Sequence, residues 1–161
     1  MKKMKNHKTP AESRIIKTEV VCPNDTNPMG MLQGGRLVEW MDIAAAVCAQ
    51  THAEKICVTV SINEVDFNKS AMLGDIITIK ATITRAFNTS MAVFAQAFAR
   101  HVLAGTTNLI SEAYFTFVAL DGEGKASRIR AIKPTGKNEK EQYTGASHRR
   151  VQRIHRKKIS C

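Results

Sequence analysis

A long helix-forming stretch that is apolar on almost every side constrains this chain more than any other feature. It runs from about residue 35 to about residue 52 and is rich in alanine and larger apolar side chains. Such a helix cannot lie on a protein surface, because no face of it is polar enough to meet water. It must therefore be wrapped by a sheet or covered by a partner.

The chain after this stretch changes to the period of β-strands. Residues 57–67 form one candidate strand, and residues 77–84 alternate apolar with threonine or lysine side chains without a break. Further strands are predicted at 14–22, 91–101 and 109–120. Four long antiparallel strands joined by short turns would form a meander with one apolar face, which only the helix can cover. We therefore predict an α+β hotdog fold at residues 14–135, an antiparallel sheet wrapped around one long central helix.

The two ends of the chain carry most of its net charge of +10. We predict a disordered basic N-terminus at residues 1–13 and a basic tail at residues 136–161 that is helical or disordered. No signal peptide is recognisable, and no stretch approaches the roughly 20 apolar residues of a membrane span. Basic ends can attract a polyanionic ligand, but nucleic acid is disfavoured because aromatic interleaving and recognition motifs are missing.

The four cysteines form neither a CxxC pair nor a cluster with zinc-ligand spacing. We therefore expect no metal site, reduced thiols and a cytoplasmic location.

A polar loop with glycines at its end leads into the apolar helix. Gly34 and Gly35 stand where backbone N–H groups at a helix N-terminus are free to meet a developing negative charge. Two acids, Glu39 and Asp42, follow within the helix, where a carboxylate is costly unless it is paired or takes part in chemistry. Together these features predict hydrolysis of an acyl compound.

The spacing between these groups predicts a site shared by two chains. Asp42 lies seven residues beyond Gly35, which is roughly 10 Å along an α-helix. It cannot easily act on a carbonyl held at the N-terminus of its own helix, whereas Asp42 of an antiparallel partner helix could. Glu39 is the second candidate for the base, and pairing of Asp42 with Arg36 or with a lysine of a partner is the structural alternative.

Six motifs occur in order along the chain: Pro23-x-Asp25-Thr26-Asn27-x-x-Gly30-x-x-x-Gly34-Gly35, Met41-Asp42, Ser61-Ile-Asn-Glu-Val-Asp-Phe67, Leu73-Gly74-Asp75, Asn88-Thr-Ser-Met91 and Glu112-Ala-Tyr-Phe-Thr-Phe-Val118. Together they resemble the acyl-CoA thioesterases of the hotdog superfamily, of the cytosolic acyl-CoA hydrolase type and its short bacterial single-domain relatives. The resemblance implies hydrolysis of fatty acyl-CoA to fatty acid and CoA without a metal or redox cofactor, and dimers that assemble further into trimers of dimers.

The same resemblance implies that Asn27 and Asp42 form the catalytic pair. We assign polarisation of the thioester carbonyl to the Gly35 N–H and substrate contacts to Gly34 and Arg36. The turn Asn88-Thr89-Ser90 is implied, more weakly, to contact the substrate. A non-catalytic protein of the same fold that binds or senses acyl-CoA is the alternative, although it would not need Asp42.

Overall fold

The structure, a computed structural model, describes residues 6–159 and is organised around helix α1 (Gly34–Ala53). The predicted helix at 35–52 is confirmed to within one residue at each end. Small side chains on its buried face let the surrounding sheet approach closely. The buried side chains of α1 are Leu37, Trp40, Met41, Ala44, Ala45, Cys48, Ala49 and His52.

A five-stranded antiparallel sheet wraps α1, which confirms the predicted hotdog fold. In order across the sheet the strands are β2-β4-β5-β6-β3. Their bounds are Ile15–Val20 for β2, Cys57–Phe67 for β3, Ile76–Ala86 for β4, Ser90–His101 for β5 and Thr106–Ala119 for β6.

The predicted four-strand meander is correct for β4, β5 and β6 but wrong for β3. β3 pairs with β6, so residues 68–75 carry the chain across the sheet before β4 begins. Periodicity within a strand says which face is buried but not which strand lies beside it. As a result β3 is an edge strand, and its outer edge has no strand partner within the described chain.

The apolar positions that alternate along the sequence of β4 are the positions whose side chains are buried in the core. Ile77, Ile79 and Ile83 are fully buried against α1, as are Phe115 and Phe117 of β6. The intervening side chains of these strands point to the outer face of the sheet, away from α1. The sheet therefore has a dry face toward the helix and an outer face open to other elements.

The N-terminal segment is ordered from residue 7, contrary to the predicted disorder of residues 1–13. Strand β1 (His7–Lys8) pairs in parallel with β7 (Ala131–Ile132), and a 3₁₀ turn follows at Pro10–Glu12. Lys8 Nζ donates to the carbonyl oxygens of Thr51 and His52 at the C-terminal end of α1, at 2.9 and 3.1 Å. A cation at that end is favourable, because the last carbonyls of a helix lack partners. Residues 1–5 lie outside the described residues.

The basic C-terminal tail takes the helical alternative, as α2 (Lys137–Ile159). The helix lies across the outer face of the sheet. Tyr114 Oη of β6 donates to Gln142 Oε1 at 2.9 Å, and Arg85 Nη1 of β4 donates to the Tyr143 carbonyl at 3.2 Å. Within residues 6–159, neither α1 nor α2 is long and apolar enough to cross a membrane.

Candidate active site

The side chain of Asn27 organises its own loop and leaves one half of its amide free. Its Oδ1 accepts hydrogen bonds from the N–H groups of Met29 and Met31, at 3.0 and 3.1 Å. Gly30, at the tip of this turn, has a φ of 74°, a conformation that favours glycine. Since Oδ1 is occupied, Nδ2 is the half that can bind a ligand, and it has no hydrogen-bond partner within residues 6–159.

The N-terminus of α1 presents a set of unpaired donors. Gln33 precedes the helix without capping it, because its Nε2 donates instead to the Thr26 carbonyl at 2.9 Å. The N–H groups of Gly34, Gly35 and Arg36 lie in the first turn, where an α-helix supplies no backbone partner. They therefore point the positive end of the helix dipole outward, as the glycine pattern predicted.

The two glycines at this terminus differ in their surroundings. A Cβ at Gly34 would lie 3.3 Å from the ring of Phe67, whereas a Cβ at Gly35 would meet nothing within 4 Å. Gly34 thus allows Phe67 to approach the helix, whereas a side chain at Gly35 would meet no neighbour. A cavity of about 310 Å³ adjoins this terminus, with Asn27, Gly34 and Phe67 in its wall.

Asp42 is held by a residue that the sequence did not suggest. Thr59 Oγ1 of the edge strand β3 donates to Asp42 Oδ1 at 2.8 Å. Thr59 pairs in the sheet with the buried Phe117, so its side chain lies on the helix-facing side. A hydroxyl at an inward position of a strand was the available signal. The half-buried Asp42 carboxylate is thereby oriented but keeps its second oxygen for other contacts.

The alternatives for Asp42 are resolved within the chain. Arg36 does not pair with it: Arg36 Nε lies 3.1 Å from Asp25 Oδ1 and Nη1 lies 2.8 Å from Glu39 Oε2. The structural alternative, in which Arg36 pairs with Asp42, is therefore not adopted within a single chain. Glu39, the second candidate base, is more than half exposed and already paired, which leaves Asp42 as the better-placed carboxylate.

The turn at Asn88–Ser90 is tied to the chain that follows the sheet. Asn88 Oδ1 accepts from Arg128 Nε at 3.0 Å, and its carbonyl accepts from the N–H of Ile129 at 3.1 Å. The Thr89 carbonyl accepts from the N–H of Ala119, while Ser90 is buried at the start of β5. Contact of these three residues with substrate stays a prediction.

The predicted residues fall at two opposite ends of the sheet. The Asn27 loop bonds to residues 71–73, just before β4, whereas Asn88 directly follows β4. An 11-residue strand spans about 35 Å, so one chain cannot bring these groups together. Thr59 aligns with the Asn88 end, because Phe117 pairs with both Thr59 and Met91.

The buried thiols and imidazole do not provide a nucleophile or base. Burial raises the pKa of Cys48 to about 12 and that of Cys57 to about 11, so both stay protonated. Burial lowers the pKa of His52 and leaves its imidazole neutral, but the ring is fully buried and its Nε2 donates to the Arg130 carbonyl at 2.9 Å, so no substrate can reach it. In residues 6–159, no group of three His, Cys, Asp or Glu side chains is placed to hold a metal ion.

Comparison with known proteins decides the family. Residues 29–104 match the thioesterase superfamily. A Bacillus subtilis relative, described as an uncharacterized acyl-CoA thioester hydrolase, is 33% identical over 149 residues, which cover 92% of this chain and 87% of the relative. The chain belongs to the thioesterase superfamily. It spans only about a quarter of the longer mammalian thioesterases that it also matches.

Solved thioesterase structures agree with the fold. An acyl-CoA hydrolase of Staphylococcus aureus, in complex with butyryl coenzyme A, coenzyme A and coenzyme A disulfide, superposes with a TM-score of 0.89 at 36% identity, covering 96% of this chain and 94% of that one. Other structures of that enzyme carry alanine in place of one asparagine, one aspartate and one threonine. A hexameric acyl-CoA thioesterase in its apo form superposes with a TM-score of 0.90 at 35% identity, covering 93% and 96%.

Proposed function

We propose that this protein hydrolyses fatty acyl-CoA to fatty acid and CoA at a site composed of residues from two chains. The observation that carries the proposal is the hydrogen bond between Thr59 and Asp42. In the Staphylococcus aureus hydrolase the three substituted positions are an asparagine, an aspartate fifteen residues later and a threonine seventeen residues after that. The same intervals separate Asn27, Asp42 and Thr59.

The free edge of β3 is the surface on which a second copy would bind. An unpaired strand edge offers a row of N–H and C=O groups to another strand. Around Asp42 and Thr59 this edge carries apolar side chains that are each between 39% and 45% exposed. Those of α1 and Ile62 of β3 lie on the helix side of the sheet, whereas Val58, which pairs with Val118, lies on the outer side. Apolar surface therefore flanks the edge on both faces, which favours burial by another chain. The residues are Ile43, Val47, Val58, Val60 and Ile62.

Antiparallel pairing of two β3 strands supports the composite site. A twofold axis near Asn63 would set Thr59 of one chain opposite Phe67 of the other. Phe67 lies against Gly34, so this pairing brings the first turn of one α1 toward Asp42 of the other. The two ends of the sheet, which are far apart in one chain, then meet across the interface.

Each group has a distinct role in the proposed reaction. The Gly35 N–H and Asn27 Nδ2 donate to the thioester carbonyl and stabilise the negative charge that develops on its oxygen. Asp42 of the partner takes a proton from water as the water oxygen bonds to the carbonyl carbon. The carbon–sulfur bond then breaks, and the CoA sulfur leaves with that proton. Thr59 orients the Asp42 carboxylate throughout.

Asp42 as a nucleophile remains the second form of this mechanism. Its carboxylate would then attack the carbonyl carbon, expel the CoA thiolate and form a mixed anhydride, which water hydrolyses. Both forms place the same residues at the reacting atoms.

The quaternary structure that we propose is a dimer through β3 that assembles into a trimer of dimers. The hexameric relative supports this assembly, and the free strand edge supports its dimer. A cytoplasmic location belongs to the same proposal.

Release of the CoA thiol from a panel of acyl-CoAs tests the activity. We expect Asp42→Asn to lose at least about a hundredfold in kcat, and Thr59→Val to lose more than Thr59→Ser. Glu39→Gln is the matched control on the same helix and should retain activity. Equal loss in Glu39→Gln and Asp42→Asn would contradict the assignment of the base. If the wild type binds acyl-CoA but releases no thiol, the enzyme hypothesis fails and the alternative of a non-catalytic sensing protein takes its place.

Mixed dimers test whether the site is shared. Chains carrying Asn27→Ala and chains carrying Asp42→Asn should each be inactive alone. Refolded together at equal concentration, half of the dimers would contain one intact site, so about a quarter of the wild-type rate should return. If no activity returns although mixed dimers form, each site lies within one chain.

A further inference from the structure

Four arginines gather on the outer face of the sheet, far from the core. Arg85 of β4 lies 4.1 Å from the ring centre of Tyr143, and Arg149 lies 3.5 Å from that of Tyr114. Arg149 and the remaining two belong to α2. We call Arg85, Arg149, Arg150 and Arg153 the arginine cluster.

No carboxylate within residues 6–159 forms a salt bridge with the arginine cluster. Glu112, a carboxylate on the same face of β6, instead accepts a hydrogen bond from Gln96 at 2.7 Å. Four like charges held together without a counter-charge are unfavourable, so the cluster is complementary to an anion.

One guanidinium nitrogen of the cluster is buried without a partner. Nη2 of Arg149 has no contact with water and no hydrogen bond within the described chain. A buried charged donor left unpaired is costly, so a shift of the flexible Arg149 side chain that brought Nη2 to a ligand oxygen would be favourable. Burial, with the charge of Arg150, also lowers the pKa of Arg153.

The cluster adjoins the turn that was predicted to contact substrate. Arg150 lies 4.3 Å from the ring centre of Phe87, the residue before Asn88. Arg149, Arg150 and Arg153 also surround a small cleft with Asn63 of β3. The cluster therefore extends from the middle of the sheet, where Tyr114 pairs with Asn63, to its Asn88 end.

We propose that the arginine cluster is a phosphate-binding site for the CoA portion of the substrate. The proposal rests on acyl-CoA hydrolysis as the function. Guanidinium groups bind phosphate oxygens through paired N–H donors, and stacking on aromatic rings fixes their planes in advance. Acyl-CoA carries phosphates at one end and the thioester at the other, so the site binds the substrate far from the bond that breaks. The phosphates of a free nucleotide would present the same chemistry.

Substrates with and without the phosphates separate binding at the cluster from catalysis. In the double variant Arg150→Ala/Arg153→Ala, the KM for acyl-CoA should rise about tenfold or more, with kcat little changed. The KM for the matching acyl-pantetheine, which lacks the nucleotide phosphates, should not change. Lys157→Ala/Lys158→Ala is the control, because it removes the same charge from the same helix outside the cluster.

The remaining outcomes show whether the bound phosphate comes from CoA or from a free nucleotide, or contradict the proposed phosphate site. If KM is unchanged but ADP binds the wild type more tightly than the double variant, the phosphate belongs to a free nucleotide. If neither measurement changes, or if both substrates and the lysine control change equally, the cluster is not a phosphate site. Thermal unfolding and oligomeric state, measured alongside, exclude loss of the fold. Hydrolysis of acyl-pantetheine by the wild type keeps the proposed function testable when the cluster proposal fails.

Discussion

The two helices of this protein are held in place by different kinds of contact. α1 buries eight of its 20 side chains inside the sheet, whereas α2, with 23 residues, buries only Ala146. α1 is held by the removal of apolar surface from water, which does not depend on direction. α2 is held by directed contacts, such as the hydrogen bond from Tyr114 to Gln142 and the stacking of Arg149 on Tyr114.

This contrast matches the proposed separation of the reacting groups on α1 from the ligand-binding groups on α2. The close packing of α1 fixes Asp42 and the free N–H groups of its first turn, because neither can move without disturbing the core. The polar attachment of α2 leaves its charged groups exposed enough to meet a ligand. The roles that we propose, a reaction at the rigid inner helix and binding of a charged ligand at the outer helix, are consistent with the composition of each helix.

The largest change in stability is expected when a buried side chain of α1 is shortened. Met41 is fully buried, so Met41→Ala should reduce the free energy of unfolding by about 2–5 kcal/mol. Ile154→Ala, on the exposed side of α2, should change it by less than about 0.5 kcal/mol. Chemical denaturation of both variants measures the difference. Similar losses in the two would show that α2 contributes to the core.

The second effect concerns the first turn of α1 and is catalytic. Gly35→Pro removes the proposed N–H donor at a position where the helix itself does not need it, and should reduce kcat by about a hundredfold. Gly35→Ala keeps the N–H, and its Cβ meets nothing within 4 Å, so its kcat should stay near the wild-type value. Loss of activity in the alanine variant, with a normal unfolding curve, would contradict a role limited to the N–H.

Sequence reasoning succeeded where local pattern decides the structure. α1 and the alternation of β4 were predicted closely, because burial on one face or on all faces leaves a direct trace in residue order. The pairing of β3 with β6 was missed, since it depends on a choice between distant strands. That choice also determines which edge is free for a second copy.

The candidate site shows the same division. Gly35 and Asp42 were singled out from residue types and spacing and Asn27 from the family resemblance, and their roles stay predictions; Thr59 was not singled out at all. Its role depends on Asp42 lying across from it in space, seventeen residues earlier in the chain. The arginine cluster could not be predicted from the sequence, for a related reason. Charge alone could not tell a helix from a disordered tail, and the aromatic rings that hold these arginines come from the turn after β4, from β6 and from α2 itself.

Acidification should loosen the two helices in different pH ranges. Burial lowers the pKa of His52 below 6.5, so the unfolded chain binds a proton first and stability falls as the pH drops below 6.5. The N–H of Thr135 lowers the pKa of Glu139 below 4.5, so its contribution is present above pH 4.5 and is lost as the pH falls further. Unfolding free energy measured from pH 7 to 5 should fall by at most about 1.4 kcal/mol per pH unit in the wild type and less in His52→Asn. An identical slope in the two would remove His52 as the cause.

The smallest effect tests how firmly α2 holds its arginines. Gly145 lies within α2, and a Cβ there would come 3.1 Å from Nη1 of Arg149. That atom is the end of a flexible side chain, so it should move by a few tenths of an ångström. Gly145→Ala should then raise the free energy of unfolding by about 0.5–1 kcal/mol, because glycine is a poor helix residue. A loss of stability would mean that Arg149 cannot shift on Tyr114, and that the arginine cluster is as rigid as the core around α1.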